Sequence, residues 1–286
     1  MDNKNTNDYL ERFQKYKNEI LRATANSILE STIQFFYNNK RGDAAATGSG
    51  LLISLADKYF MLTAAHVIAE DYNEIFIILP TKELFLGGHL HFTPIPASGK
   101  REDDKIDIAV MELEDSVVAD ILATFKFLTL DDIEIGHKNI ELPYYLSVGY
   151  PASKTKKIWN KAEISAIPFP YQTEPETSFD YAKFGFTKAT HLAVKFDGKV
   201  TSESDANIHS APQLNGISGS GLWFLKDFAT PNTVKNRKLV GLVIEKISDQ
   251  NNKAIIATRI DLVTEFIRQH FQIDIPISPT IKVNLK

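Results

Sequence analysis

Apolar residues at Leu10, Phe13, Tyr16, Ile20, Leu21 and Ala25 recur three and four positions apart, the spacing that gives a helix one apolar face. This predicts an amphipathic helix beginning near residue 7. From Thr32 through Ile33, Phe35, Phe36 and Tyr37 the side chains become β-branched and aromatic, which suits a pleated strand better than a helix. The helix is therefore expected to give way to a strand before the polar run 38–43 turns the chain. Short β-rich runs follow at 50–55, 59–63, 75–79, 106–113, 146–149, 158–167, 191–196, 221–225, 239–247 and 254–260. So many short strands predict a sandwich or barrel rather than βαβ units. Asp261 then reads as the N-cap of a terminal helix with Leu262, Val263, Phe266, Ile267 and His270 on one face. The stretches 97–105, 168–178 and 199–213, rich in Pro, Ser, Thr and charges, read as long surface loops, and no repeat or low-complexity tract interrupts the pattern.

Composition narrows the function classes. Of 286 residues, 32 are Lys or Arg against 36 Asp or Glu, a net charge of -4 that leaves no basic excess for phosphates, so nucleic acid is not expected as a partner. No apolar run reaches the ~18 residues that cross a bilayer, and Met1, Asp2, Asn3, Lys4 and Asn5 do not open a secretion signal. Neither membrane nor export is expected. The absence of cysteine excludes disulfides, thiolate metal sites and a Cys nucleophile, and a reducing cytosol fits it.

Three segments carry candidate chemistry. In the first, 59–68, a strand pattern runs through Thr63, Ala64 and Ala65 into His66, which places an imidazole at a strand end. In the second, Asp107 heads the apolar run Ile108, Ala109, Val110 and Met111, so its carboxylate is carried toward a buried environment where it needs a partner. Such a carboxylate can cap a turn, or can accept from the δ nitrogen of a histidine and fix its tautomer. The third is 215–223, in which Gly216 and Gly219 bracket Ser218. Glycines there permit a tight turn exposing the hydroxyl, with the N–H groups of Gly216 and Ser218 converging on the oxygen of an attacked carbonyl.

The order His66, Asp107, Ser218 is similar to that of the trypsin/chymotrypsin-like serine peptidases, whose histidine lies in Thr-Ala-Ala-His, whose acid opens an Asp-Ile-Ala strand, and whose serine lies in Gly-x-Ser-Gly-Gly/Ser. Here these are Thr63–Ala64–Ala65–His66, Asp107–Ile108–Ala109 and Gly216–Ile217–Ser218–Gly219–Ser220. Gly48, Ser49 and Gly50 also resemble the family's strand before the histidine, and 239–243 the strand that lines its cleft. The resemblance implies an all-β fold of two packed six-stranded antiparallel barrels flanked by an N-terminal and a C-terminal helix. It places a helical extension at 1–30, a first barrel with His66 and Asp107 at 31–140, a second with Ser218 at 141–260, and a helix and tail at 261–286. It further implies peptide hydrolysis through an acyl-enzyme on Ser218, with His66 as general base and acid, Asp107 orienting it, and Gly216 and Ser218 as the oxyanion hole. Neither metal nor organic cofactor is called for. The implied partners are a protein or peptide substrate and a regulatory protein.

Departures from the family pattern refine the expectation. Ile217 stands where secreted members carry the acid that receives a new N-terminus, so the chain is expected to act untrimmed and resembles the bacterial HtrA-type branch. Pro212, six before the serine, gives no support to a Lys/Arg preference, and Glu245 and Lys246 after the cleft strand are left without a role. Residues 272–286 are too few for the PDZ domain that HtrA proteins append. Other readings compete. His89 and His91 share a strand face at a spacing some metal sites use, but with no Cys and no nearby Asp/Glu pair they read as surface histidines. Asp261 and His270 after Ser218 nominally meet the Ser, Asp, His order of an esterase, without the alternating helices that fold needs. Ser220 is an alternative nucleophile, and a silent binding or sensing module of the same fold is an alternative function.

Overall fold

The computed structural model describes residues 3–68, 72–138, 144–158, 163–196, 198–201, 208–249 and 252–283. Helix α1 (Asn3–Leu29) ends where the β-branched run begins, and the Thr32 hydroxyl donates to the Ile28 carbonyl at 2.9 Å, occupying one of the carbonyls left open at the helix end. Only its second half is anchored: Ile20, Thr24, Ala25 and Ile28 are buried, whereas Tyr9, Leu10, Phe13 and Tyr16 are exposed.

Strands β1 (Thr32–Asn38), β2 (Ala44–Leu55) and β3 (Lys58–Ala64) follow, then the single turn α2 (Ala65–Ile68) and strands β4 (Phe76–Ile78), β5 (Glu83–Phe85), β6 (Gly88–Phe92) and β7 (Ile108–Leu113). These form one seven-stranded antiparallel sheet in the order β5-β4-β1-β2-β3-β7-β6. After α3 (Asp115–Leu122) come β8 (Tyr145–Gly149), the hairpin of β9 (Thr155–Ile158) and β10 (Glu163–Ala166), then β11 (Phe169–Thr173), β12 (His191–Lys195), and the hairpin of β13 (Lys199–Thr201) and β14 (Ile208–Ser210). β15 (Gly221–Leu225), α4 (Thr233–Asn236), β16 (Arg237–Ser248), β17 (Lys253–Arg259) and α5 (Ile260–Phe271) complete the chain. The second sheet is six-stranded, in the order β11-β8-β15-β16-β17-β12. The expected boundary near residue 140 lies outside the described residues.

Both faces of the central strands are buried, which is why they read as unbroken apolar runs. In β2, Leu51 and Ile53 belong to one buried cluster, whereas Leu52 between them belongs to another, built from Met61, Ala109 and Met111 of the first sheet and also Ala193, Ile244 and Ile256 of the second. The first cluster joins Phe60, Leu62 and Val110 to Val148, Trp223 and Leu242, with Val263, Phe266 and Ile267 of α5 closing it. At about 1.5–3 kcal/mol for each fully buried large apolar side chain, this layer fixes how the sheets meet.

The first sheet has seven strands where six were expected, β5, β6 and α3 are additions to the expected elements, and further features depart from the sequence reading. β11 occupies part of the expected loop 168–178, because as an edge strand it tolerates Pro170, whose missing N–H costs no ladder bond there. The β13–β14 hairpin likewise lies within the expected loop 199–213. The expected strand 158–167 is instead parts of two strands, β9 and β10. Asp261 is not an N-cap: α5 is preceded by Arg259, and the buried Asp261 carboxylate accepts from Gly136 N at 2.8 Å, Ser278 Oγ at 2.5 Å and Thr280 Oγ1 at 3.0 Å, tying the linker and the C-terminal tail to the helix. Those bonds, and a fold of antiparallel sheets, remove the esterase arrangement. His89 is exposed on β6, and the His91 ring lies 4.7 Å from that of His270, beside Phe271.

Candidate active site

The site is built where β3 ends, where β7 begins and where the loop before β15 turns. β3 and β7 are neighbours, with Ala64 opposite Ile108, so the residues just beyond that pair, His66 and Asp107, are brought together by the register itself. Asp107 Oδ2 lies 2.6 Å from His66 Nδ1, and Oδ1 accepts the backbone N–H of His66 at 2.9 Å. Asp107 is buried, whereas the His66 side chain is 39% exposed.

Asp107 occupies a left-handed backbone conformation (φ 52), a region Asp and Asn tolerate better than most residues. It is held there from both sides. Its N–H donates to Asp104 Oδ1 at 3.1 Å, and its carbonyl accepts from Ala65 N at 3.1 Å. Asp104 is in turn paired with Arg101 at 2.8 Å, both side chains nearly buried, and Arg101 also donates to the Thr93 carbonyl at 2.7 Å. Sequence reasoning missed Arg101 and Asp104, since they sit in a charged stretch that reads as solvated loop.

Burial works against a charge on either partner, and the outcome differs between them. For His66, burial acts to lower the pKa, but the hydrogen bond and negative charge of Asp107, with Glu245 adding, more than offset it and leave the imidazole above its usual 6.5. For Asp107, burial dominates and raises the carboxyl, with the bonds from His66 opposing. Glu245, on β16, pairs loosely at 3.6 Å with Lys105, which precedes β7.

Ser218 is half-buried, and its hydroxyl donates to the Ile244 carbonyl at 3.2 Å; no hydrogen bond joins it to His66. Around it the backbone is almost fully spoken for. The carbonyls of Asn215 (from Ala152 N, 2.7 Å), Gly216 (from Ser49 Oγ, 2.8 Å), Ile217 (from Ser220 N, 3.0 Å) and Ser218 (from Ser49 N, 2.9 Å) each accept a bond. The N–H groups of Ile217 and Gly219 donate to Leu214 O and Val243 O. Those of Gly216 and Ser218 have no acceptor among the described residues. Because each peptide is planar and trans, fixing the Asn215 and Ile217 carbonyls also fixes where those two N–H groups point. Gly216 is buried and Ser218 half-buried, and neither N–H is spent on another described residue. Gly216 (φ 96) and Gly219 (φ 86) supply the left-handed turns, and a Cβ on Gly219 would stand 2.0 Å from the Ser49 carbonyl. Ser220 is fully buried, which removes it as an accessible nucleophile, and Ile217 packs into the second sheet's core.

The two curled antiparallel sheets with terminal helices are a chymotrypsin-like double barrel. Among solved structures the chain is similar to the scabies mite inactivated protease paralogue S-I1, with a TM-score of 0.52 and 16% identity over 87% of this chain and 97% of that one. No family model matches the sequence, and no curated protein matches it.

Proposed function

We propose that the chain is a serine endopeptidase in which Ser218 is the nucleophile, His66 the general base and acid, Asp107 the group that orients it, and the N–H groups of Gly216 and Ser218 the oxyanion hole. The observation that carries this reading is the pair of unspent N–H groups in the Ser218 loop, together with a bonded His66–Asp107 pair on the sheet to which Ser49 ties that loop. Asp107 keeps the proton on Nδ1 and leaves Nε2 as the acceptor. Among the described residues, β16 past Val243 pairs only with β17, which leaves its other edge for an extended peptide. A substrate N–H donated to the Ile244 carbonyl replaces the Ser218 hydroxyl there, and a rotation about χ1 frees Oγ to turn toward His66. Oγ then bonds to the scissile carbonyl carbon while His66 takes its proton; the amine leaves with that proton, and water reverses the sequence to release the acid.

The finer placement rests on sequence: an HtrA-like bacterial enzyme working in the cytosol and governed by a partner protein. A second reading, a silent binding module, is favoured by the Ser218 hydroxyl being held by Ile244 rather than by the imidazole. Reaction with a fluorophosphonate separates the two. Labelling that disappears in Ser218→Ala supports the enzyme, and no labelling, with or without candidate partner proteins, supports the module.

A further inference from the structure

The nucleophile loop belongs to the second sheet, yet two of its four fixed carbonyls are held from the first, by one residue. Ser49, fully buried in β2, donates its N–H to the Ser218 carbonyl at 2.9 Å and its hydroxyl to the Gly216 carbonyl at 2.8 Å. The hydroxyl also accepts from Tyr150 N at 2.9 Å, just beyond β8, so its own hydrogen has one direction left, toward Gly216. The Ser49 carbonyl accepts the Thr63 hydroxyl at 2.8 Å, three residues before His66 on β3. Ser49 thus links the strand that leads to the base, the segment after β8 and both ends of the Gly216–Ser218 stretch. It touches no reacting atom.

We propose that Ser49 is a positioning residue that holds the two peptides on either side of the one carrying the Ser218 N–H and so steadies the oxyanion hole, making the first sheet determine the competence of a loop carried by the second. This rests on the reading of Ser218 as nucleophile. In Ser49→Ala the Gly216 carbonyl and the Tyr150 N–H both lose their partner while the backbone bond to Ser218 stays. The Gly216–Ile217 peptide, which lies between the two peptides that carry the Gly216 and Ser218 N–H groups, then loses its anchor, and both neighbours gain freedom to tilt. Removing one oxyanion donor outright costs about 10²–10³ in rate; misdirecting one is expected to cost about ten- to a hundredfold.

The test is the kinetics of fluorophosphonate labelling at several probe concentrations, which separates the maximal inactivation rate from the concentration at half-saturation. Ser49→Ala should lower the maximal rate about ten- to a hundredfold and leave half-saturation within about threefold. A merely structural role would instead lower the amount of reactive protein and leave the rate of the folded fraction unchanged. Thr63→Val, which loses the bond to the Ser49 carbonyl, should slow labelling in the same sense, and Thr63→Ser, which keeps it, should restore the wild-type rate. Wild-type rates in Ser49→Ala overturn the proposal. Should that variant not fold, equal rates in Thr63→Val and Thr63→Ser overturn it. A wild-type chain that takes no label overturns the nucleophile reading, and the role of Ser49 with it.

Discussion

Replacing Asp107 by asparagine isolates what the carboxylate does for the imidazole. The backbone there is left-handed (φ 52), and asparagine fits that region as aspartate does, so the β7 end keeps its shape. Two donors face the present carboxylate, the His66 backbone N–H at 2.9 Å and ring Nδ1 at 2.6 Å. An asparagine has one oxygen for them. If that oxygen keeps the backbone N–H, the amide NH₂ meets Nδ1, which must then accept; the ring proton moves to Nε2, the nitrogen that has to receive the proton of Ser218. For a triad, holding the wrong tautomer costs about 10⁴ in rate, which is about 5.4 kcal/mol of barrier. The stability cost is far smaller. Losing one charge-assisted bond costs about 1.5–3 kcal/mol at most, and removing a buried negative charge that burial already disfavours offsets part of it. Asp107→Ala should label as slowly and also be less stable, since both His66 donors lose their partner and a non-glycine, non-Asx residue in the left-handed region costs about 1–2 kcal/mol. Fluorophosphonate labelling rates and thermal unfolding of wild type, Asp107→Asn and Asp107→Ala check this. An asparagine variant that labels within tenfold of wild type refutes the orienting role.

Gly219→Ala places a Cβ 2.0 Å from the Ser49 carbonyl and 2.2 Å from the Thr63 hydroxyl, in a left-handed turn. The turn alone costs about 1–2 kcal/mol, and the collision displaces the loop, so Tm should fall by several degrees and labelling of Ser218 should vanish; an alanine variant with wild-type Tm and labelling would show that the loop packs differently. The base works only when neutral, so the labelling rate should fall as pH drops through the raised pKa of His66, above 6.5. Glu245→Gln removes one of the charges that raise it, and the acid limb should move to lower pH; an unmoved limb, or one moved upward, contradicts the placement of Glu245 beside the imidazole.

What could be read along the chain followed from how local each signal is. Strands buried on both faces, such as 50–53 and 239–244, show as apolar runs, and the segments around His66 and Ser218 show because tight turns demand small residues at fixed offsets. The α1 stripe predicts one apolar face but not how far the body reaches along it, and the helix runs past its support, leaving Tyr9 68% exposed. β11 was hidden by a proline that only an edge position permits, a property of neighbours rather than of sequence. The contributions of Arg101, Asp104 and Ser49 were hidden for the same reason. Each acts through a partner fixed by the fold, and Ser49 is 167 residues from the Gly216 carbonyl it holds.

The most direct measurement is the intact mass of the full chain after reaction with a fluorophosphonate, followed by location of the adduct. The account predicts one adduct, on Ser218, on untrimmed protein, lost in Ser218→Ala and slowed by powers of ten in His66→Ala. An unmodified wild-type chain, or an adduct that survives Ser218→Ala, would contradict it.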